Sequence, residues 1–256
     1  KSLGQNFLID NDIINKIVST VSIIDNEILE VGPGTGNLTK EILKNNPSKM
    51  YLVEKDNFLA ESLKEIMDER VVIFNEDILK FDTTSLSKNK IVVFGNLPYN
   101  ISTEILSTWI VNLKNNYWFS DLILMFQKEV ADRIIAKFNT SAYGRLSILA
   151  NWRLNVNKIC DISPESFSPR PKIQSTLIHF TPKKNFVDIK DPLNLEKITR
   201  VFFSHRRKML KKPFNQIFNG NTDLLDKFNL DLKLRPQNLD FDTYYKLTIE
   251  YEKLRS

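Results

Sequence analysis

Five short apolar runs, parted by stretches with helical spacing in every gap but the third, restrict this chain more than any other feature. The runs are residues 27–31, 50–53, 71–74, 91–94 and 122–126. Between them, Leu38, Ile42 and Leu43, then residues 57–67 and 102–113, follow a helical pattern. Ile13, Ile14, Ile17 and Val21 do so ahead of the first run, with Asp10 as a cap. Strands that alternate with helices build a largely parallel sheet covered on both faces, so an α/β, Rossmann-like fold is expected. Such sheets bind ligands at the carboxyl ends of their strands. The residues that follow each run therefore carry the most information.

The first run ends in Gly32-Pro33-Gly34-Thr35-Gly36, one residue shorter than the dinucleotide fingerprint. Glycines there let the backbone approach a ligand and open a helix N-terminus toward it. Alone, such a triplet is also an ordinary turn. Glu54 closes the second run, about 20 residues on, where an acid holds ribose hydroxyls in a doubly wound sheet. Asp77 follows the third run, where a carboxylate can accept from an adenine amine. Either acid alone reads equally well as a solvated surface group. Glycines and two acids at three successive strand ends converge on one crevice. No phosphate-binding G-x-x-x-x-G-K-[ST] segment is present.

After the fourth run comes Gly95-Asn96-Leu97-Pro98-Tyr99-Asn100. Asn96 can accept a hydrogen bond from an exocyclic amine, and the carbonyl of Leu97 or Pro98 can accept the second. Tyr99 can stack on a flat base, a contact worth roughly 1–3 kcal/mol. An adenine amine is a poor nucleophile because its lone pair is delocalised into the ring. Two acceptors favour a pyramidal nitrogen with an available lone pair. Preorganised polar groups and in-line placement then supply most of the acceleration.

Other chemistries are excluded. One cysteine, Cys160, and two histidines, His179 and His205, leave no disulfide and no metal site to expect; all three read as packed residues. No apolar run reaches the roughly 18–20 residues of a membrane span, and no leader pattern is present, so a cytoplasmic protein without a membrane association is expected. Because the chain begins at Lys1 rather than Met, a few residues are expected to precede it.

Residues 147–152 and 176–180 read as two further strands, with a proline-restricted loop at 163–171 between them. Residues 182–192 read as a linker and the remainder as helical. This divides the chain into a catalytic domain, 1–185, and a small helical domain, 186–256. The net charge of +5 is concentrated in the second part, where residues 186–256 hold 14 basic and 10 acidic side chains. Residues 196–212 read as one helix stopped by Pro213, with Arg200, Arg207 and Lys211 opposite Ile198, Phe202 and Met209. That basic face is either solvated or a contact for RNA phosphates.

Together these motifs resemble the small-subunit ribosomal RNA adenine N6,N6-dimethyltransferases, the rRNA adenine dimethylases. The likeness runs almost end to end. It includes Lys1-Ser2-Leu3-Gly4-Gln5-Asn6-Phe7-Leu8, Glu30 to Gly36, Val53-Glu54-Lys55-Asp56, Glu76-Asp77 and Gly95 to Ile101. It continues through Phe167-Ser168-Pro169-Arg170-Pro171-Lys172-Ile173 and Phe203-Ser204-His205-Arg206-Arg207-Lys208. The resemblance implies a class I S-adenosylmethionine-dependent methyltransferase with a small helical C-terminal domain. Asn6, Leu8, Gly32, Gly34, Glu54, Asp77 and Asn96 would hold S-adenosyl-L-methionine. Tyr99 and Phe167 would sandwich the flipped adenine, with Leu97 and Pro98 beside the reacting amine. Arg200, Arg206, Arg207, Lys208 and Lys211 would dock the RNA.

The implied reaction puts two methyl groups on each of two adjacent adenines near the 3′ end of 16S rRNA. The implied substrate is a partly assembled small subunit, and the enzyme would act as a monomer. Family members usually carry proline where this chain has Arg170, which bears on loop rigidity or a phosphate contact. Three rivals stand beside this reading: the large-subunit 23S rRNA adenine methyltransferases of macrolide resistance, a non-catalytic ribosome assembly factor, and a dinucleotide oxidoreductase.

Overall fold

The computed structural model describes residues 6–113 and 117–255. Of the N-terminal motif, residues 1–5 therefore lie outside the described residues. The elements run β1 (Phe7–Leu8), α1 (Asn11–Val18), β2 (Glu27–Val31), α2 (Asn37–Lys44), β3 (Lys49–Val53), α3 (Asn57–Leu63), β4 (Val71–Phe74) and β5 (Ile91–Asn96). They continue as α4 (Ser102–Asn112), β6 (Phe119–Gln127), α5 (Lys128–Ile134), α6 (Arg145–Arg153), β7 (Leu154–Ile162), β8 (Phe167–Ser168) and β9 (Ser175–Pro182). The last are α7 (Pro192–Ser204), α8 (Lys211–Phe218), α9 (Thr222–Phe228) and α10 (Phe241–Lys253). No helix among the described residues is long and apolar enough to cross a membrane.

The described residues sort into two compact units. The first gathers the chain up to Thr108, Leu113–Ala131 and Val156–Pro182. Its sheet has seven strands in the order β4-β3-β2-β5-β6-β9-β7. The pairs β2/β3, β3/β4, β2/β5 and β5/β6 are parallel, and β9 runs antiparallel to β6. Central strands of a doubly covered sheet are apolar throughout. Ile28, Leu29, Leu52, Val93 and Phe94 are accordingly at 0% exposure, which is why the five runs are legible in the sequence. A second, two-stranded ribbon pairs β1 with β8, Leu8 opposite Phe167 and Phe7 opposite Ser168. Asp10 caps α1 by accepting from the Asp12 and Ile13 amides. His179, on β9, bonds Asp121 at 2.8 Å, and this bond holds the carboxyl of Asp121 below its ordinary range.

The second unit takes Trp109–Asn112 and Asp132–Asn155 together with Lys183 onward. It therefore draws in segments that the expected boundary after residue 185 assigns to the catalytic part. The expected strand at 147–152 is in fact α6. Ser147, Ile148, Leu149, Ala150, Trp152 and Arg153 are all buried, and a helix buried on nearly every side shows little period to read. The Ser147 hydroxyl closes its first turn by accepting from the Gly144 amide at 2.9 Å. The Tyr245 hydroxyl donates to the Ile148 carbonyl at 2.9 Å, and Trp152 Nε1 donates to the Val187 carbonyl at 2.8 Å.

The expected helix over 196–212 is also corrected. α7 ends at Ser204 with His205 as its C-cap, and a turn leads to α8. Pro213 is buried at the third position of α8. The first helical turn has no intrahelical acceptor for its amides, so a proline there costs no bond. It begins a helix rather than stopping one.

Candidate active site at four strand ends

In the first unit the strand order reverses between β2 and β5, the place where open α/β sheets take ligands. The turn after β2 holds Gly32, Gly34 and Gly36 at φ +67°, +57° and +76°, a region that L side chains rarely enter. At Gly34 an added Cβ would also sit 2.7 Å from Phe7 Cδ1. The turn is thus backed by an aromatic ring from β1. The Gly34 amide donates to Glu54 Oε2 at 3.1 Å, and the Asp56 amide donates to Glu54 Oε1 at 2.9 Å.

Glu54 is 3% exposed. Burial pushes its carboxyl above the usual range, opposed by the two backbone amides. Asp77 is shifted the other way: Lys55 Nζ lies 2.7 Å from its Oδ2, and this bond lowers its pKa. Behind the turn, Glu30 is wholly buried and accepts from the Thr39 hydroxyl at 2.6 Å. Burial raises its pKa to about 7.

A cleft of about 450 Å³ is lined by Asn6, Phe7, Gly34, Glu54, Asn96 and Tyr99. Next to it, sharing Gly32, Glu54 and Pro98, lies a second of about 610 Å³, with Val31, Val53, Ile78 and Ile101 as apolar walls and Asp77 at its edge. Asn96, the last residue of β5, donates through Nδ2 to the Asn6 carbonyl at 2.9 Å. That bond assigns the amide's orientation and presents Oδ1 as an acceptor. The Pro98 carbonyl accepts from the Ile101 and Ser102 amides at 3.1 and 3.0 Å, opening α4. It is committed to that helix, which leaves the Leu97 carbonyl as the second acceptor. The Leu97 side chain is 1% exposed, so only its backbone can serve. The half-buried Tyr99 ring is held by its hydroxyl, 2.6 Å from Ser175 Oγ, and burial raises its pKa.

The structure brings together Asn6, Gly32, Gly34, Glu54, Asp77 and Asn96 to Tyr99. Leu8 and Phe167 stand apart. They are 5% and 2% exposed, belong to the apolar core, and line neither cleft. Leu8 holds the neighbourhood through its carbonyl, which accepts from Asn37 Nδ2 at 2.8 Å. Phe7, Ser175 and Asn37 join the site without being expected there. Alternation along β1 is the signal for Phe7, since a strand that sends Leu8 into the core turns its neighbour outward.

The second unit carries a separate basic groove of about 1400 Å³. Arg207, Lys208 and Lys211 line it with Lys212, Lys233 and Arg235. The Leu210 amide donates to the Leu234 carbonyl at 2.8 Å, which brings the two stretches side by side. Arg200 is exposed on α7 outside this groove. The Arg206 guanidinium donates to the Ser141 carbonyl and lies 5.9 Å from the Phe203 ring centre, so packing occupies it. Because α7 ends at Ser204, Arg200 and Lys211 do not share a helix.

The chain is similar to known proteins along nearly its whole length. The family model described as ribosomal RNA adenine dimethylase matches residues 1–253. A Pelagibacter ubique protein named ribosomal RNA small subunit methyltransferase A is 64% identical over 255 residues, covering 100% of this chain and 97% of its own. The Ehrlichia ruminantium protein of that name is 40% identical, covering 95% of this chain and 94% of its own. A Plasmodium falciparum dimethyladenosine transferase structure superposes with TM-score 0.83 at 26% identity, covering 96% of this chain and 98% of that one. The structure of the 23S rRNA methyltransferase ErmE superposes with TM-score 0.71 at 20% identity over 96% of this chain and 100% of that one, a likeness of fold. Motifs, strand-end geometry and a match along nearly the whole length agree: this chain belongs to the ribosomal RNA adenine dimethylase family.

Proposed function

We propose that the protein transfers methyl groups from S-adenosylmethionine to N6 of two adjacent adenosines near the 3′ end of small-subunit rRNA. The observation that carries this is Asn96: an amide whose orientation is set by the Asn6 carbonyl, at the end of β5, in the same cleft as Gly34 and Glu54. The cofactor fits the residues present. The apolar walls of the larger cleft suit a flat purine beside Asp77. Each Glu54 oxygen takes one backbone amide and keeps lone pairs for ribose hydroxyls. At Gly32 an added Cβ would meet the Asn96 carbonyl oxygen at 3.7 Å, and the bare backbone there leaves room for the methionine part. When bound, S-adenosylmethionine supplies an electrophilic methyl group.

The protein's own groups act on the amine. Asn96 Oδ1 and the Leu97 carbonyl accept its two hydrogens and favour a pyramidal nitrogen. Tyr99 offers a face for the extruded base, and the Ser175 bond keeps that ring from turning. No strong base is needed, because the methylated ammonium is acidic. The basic groove of the second unit suits RNA phosphates. The substrate in this reading is a pre-ribosomal small subunit, and the enzyme works as a monomer.

The 64% identical relative named for the small subunit favours that substrate over large-subunit rRNA. Labelled methyl transfer to undermethylated small subunits, large subunits, naked rRNA and DNA in parallel tests it. Transfer confined to adenines of the large subunit would overturn it.

A further inference from the structure

Residues 169–174 run between two points fastened to the walls of the Asn96 cleft. Just before them, Ser168 pairs with Phe7, a lining residue of the cleft. Just after them, Ser175 Oγ meets the hydroxyl of Tyr99 at 2.6 Å, and Tyr99 lines the same cleft. The segment therefore starts and ends beside residues that line the cleft. Arg170 and Lys172 are exposed on it, and the Arg170 side chain keeps 64% of its full exposure. Pro169 and Pro171 stand on either side of Arg170 and fix φ there.

Rim and interior carry opposite charge. The ionisable groups of the adjoining clefts are mostly carboxylates, with Glu54, Glu76 and Asp77 against Lys55. Two cations on the rim suit an anion that stays outside while a neutral flat group goes in. A nucleotide extruded from a strand has that division: a base that enters and flanking phosphates that do not. Arg170 is already engaged. Its guanidinium pairs with Glu165 Oε1, and the Ser163 hydroxyl donates to the other oxygen of that carboxylate. The Glu165 side chain is 56% exposed. An ion pair this exposed is weak and screened by salt, and because Ser163 already takes one Glu165 oxygen, a phosphate with both oxygens available competes well for the guanidinium.

We propose that Arg170 is a phosphate-binding residue of the substrate site. In the free protein Glu165 holds it, and a backbone phosphate beside the target adenosine displaces Glu165 when RNA binds, with Lys172 as a second cation. This rests on the reading of the protein as an RNA adenine methyltransferase.

Steady-state methyl transfer to undermethylated small subunits, with KM and kcat separated, tests the exchange. Arg170→Ala raises KM about five-fold with kcat within about two-fold. Arg170→Lys recovers part of the loss. Glu165→Gln lowers KM about two-fold, because the competitor is gone, and the double variant behaves as Arg170→Ala. A pair that merely braces the loop gives another pattern: Glu165→Gln and Arg170→Ala then impair the enzyme alike. That result, or an unchanged KM in Arg170→Ala, overturns the proposal. If the wild type methylates no small subunit, the functional reading fails instead. Retention of radiolabelled subunits on filters by the same variants, with the same order of affinities expected, then decides the phosphate contact separately.

Discussion

Asn96 Nδ2 lies 2.9 Å from the carbonyl of Asn6, 90 positions earlier in the chain. One bond thereby couples the N-terminal segment to a cleft residue at the end of β5, and it determines which end of the amide points into the cleft. Asn96→Ala removes that acceptor without disturbing the second unit. Transfer of labelled methyl should fall about 10²- to 10³-fold, the range for deleting one preorganised polar partner, while small-subunit binding stays within about two-fold. Wild-type rates in this variant would refute the site.

Gly34 adopts φ +57° and its Cα faces the Phe7 ring. Gly34→Ala adds both a disfavoured backbone conformation and a clash, and a strained residue of this kind costs about 1–3 kcal/mol. Calorimetric titration with S-adenosylmethionine should show affinity reduced at least ten-fold. Phe7→Ala with Gly34→Ala should recover part of it, since the clash is then gone.

Glu30 gives the fold a pH dependence. Its folded pKa of about 7 lies above the usual value, so the folded state holds this proton more tightly than the unfolded chain. That contribution is complete below the unfolded pKa of about 4.5 and is lost as pH rises through about 7. Over that window it amounts to roughly 3 kcal/mol. Urea unfolding from pH 4.5 to 8 should show the loss in the wild type. Glu30→Gln, which still accepts from Thr39, should flatten it.

Tyr143 is buried among Phe203, Phe241 and neighbouring rings, and its hydroxyl meets no partner among the described residues. Tyr143→Phe removes an unsatisfied polar group at constant shape, so stability should hold or rise by about 1 kcal/mol. A loss above that in urea unfolding would mean the hydroxyl is bonded in solution.

The basic groove predicts a salt signature. Lys233→Ala with Arg235→Ala should weaken RNA binding and reduce the slope of log affinity against log salt by about 1 to 2, roughly one for each phosphate no longer neutralised. Arg200→Ala, outside the groove, should leave the slope unchanged.

What the sequence discloses follows from how each part is held. Strands β2 to β6 are apolar runs, mostly buried in β2, β3, β5 and β6 and half-buried in β4, and the residues after them sit where parallel topology puts them, so the strand-end places of Gly32, Glu54, Asp77 and Asn96 are readable in advance. α6 reads as a strand because burial on nearly every side leaves little period, and Pro213 misleads because a proline means different things at a helix start and a helix end. β7 alternates polar and half-buried residues and offers no apolar run. Lys233 and Arg235 are invisible as groove residues because only the Leu210 to Leu234 backbone bond brings them to Arg207. Phe167 invites a stacking role that its 2% exposure does not offer here.

The second unit's claim on Asp132–Asn155 makes the two parts inseparable by a single cut. A chain ended after Pro182 would retain β7 and β9 but strip α6 of the Tyr245 and Val187 bonds that hold it, leaving Ile148 and Trp152 facing water. Recombination between relatives meets the same rule. A helical unit moved as residues 183–255 alone arrives without its own α6, so a functional chimera must carry three exchanged segments, with Trp109–Asn112 and Asp132–Asn155 beside the C-terminal one.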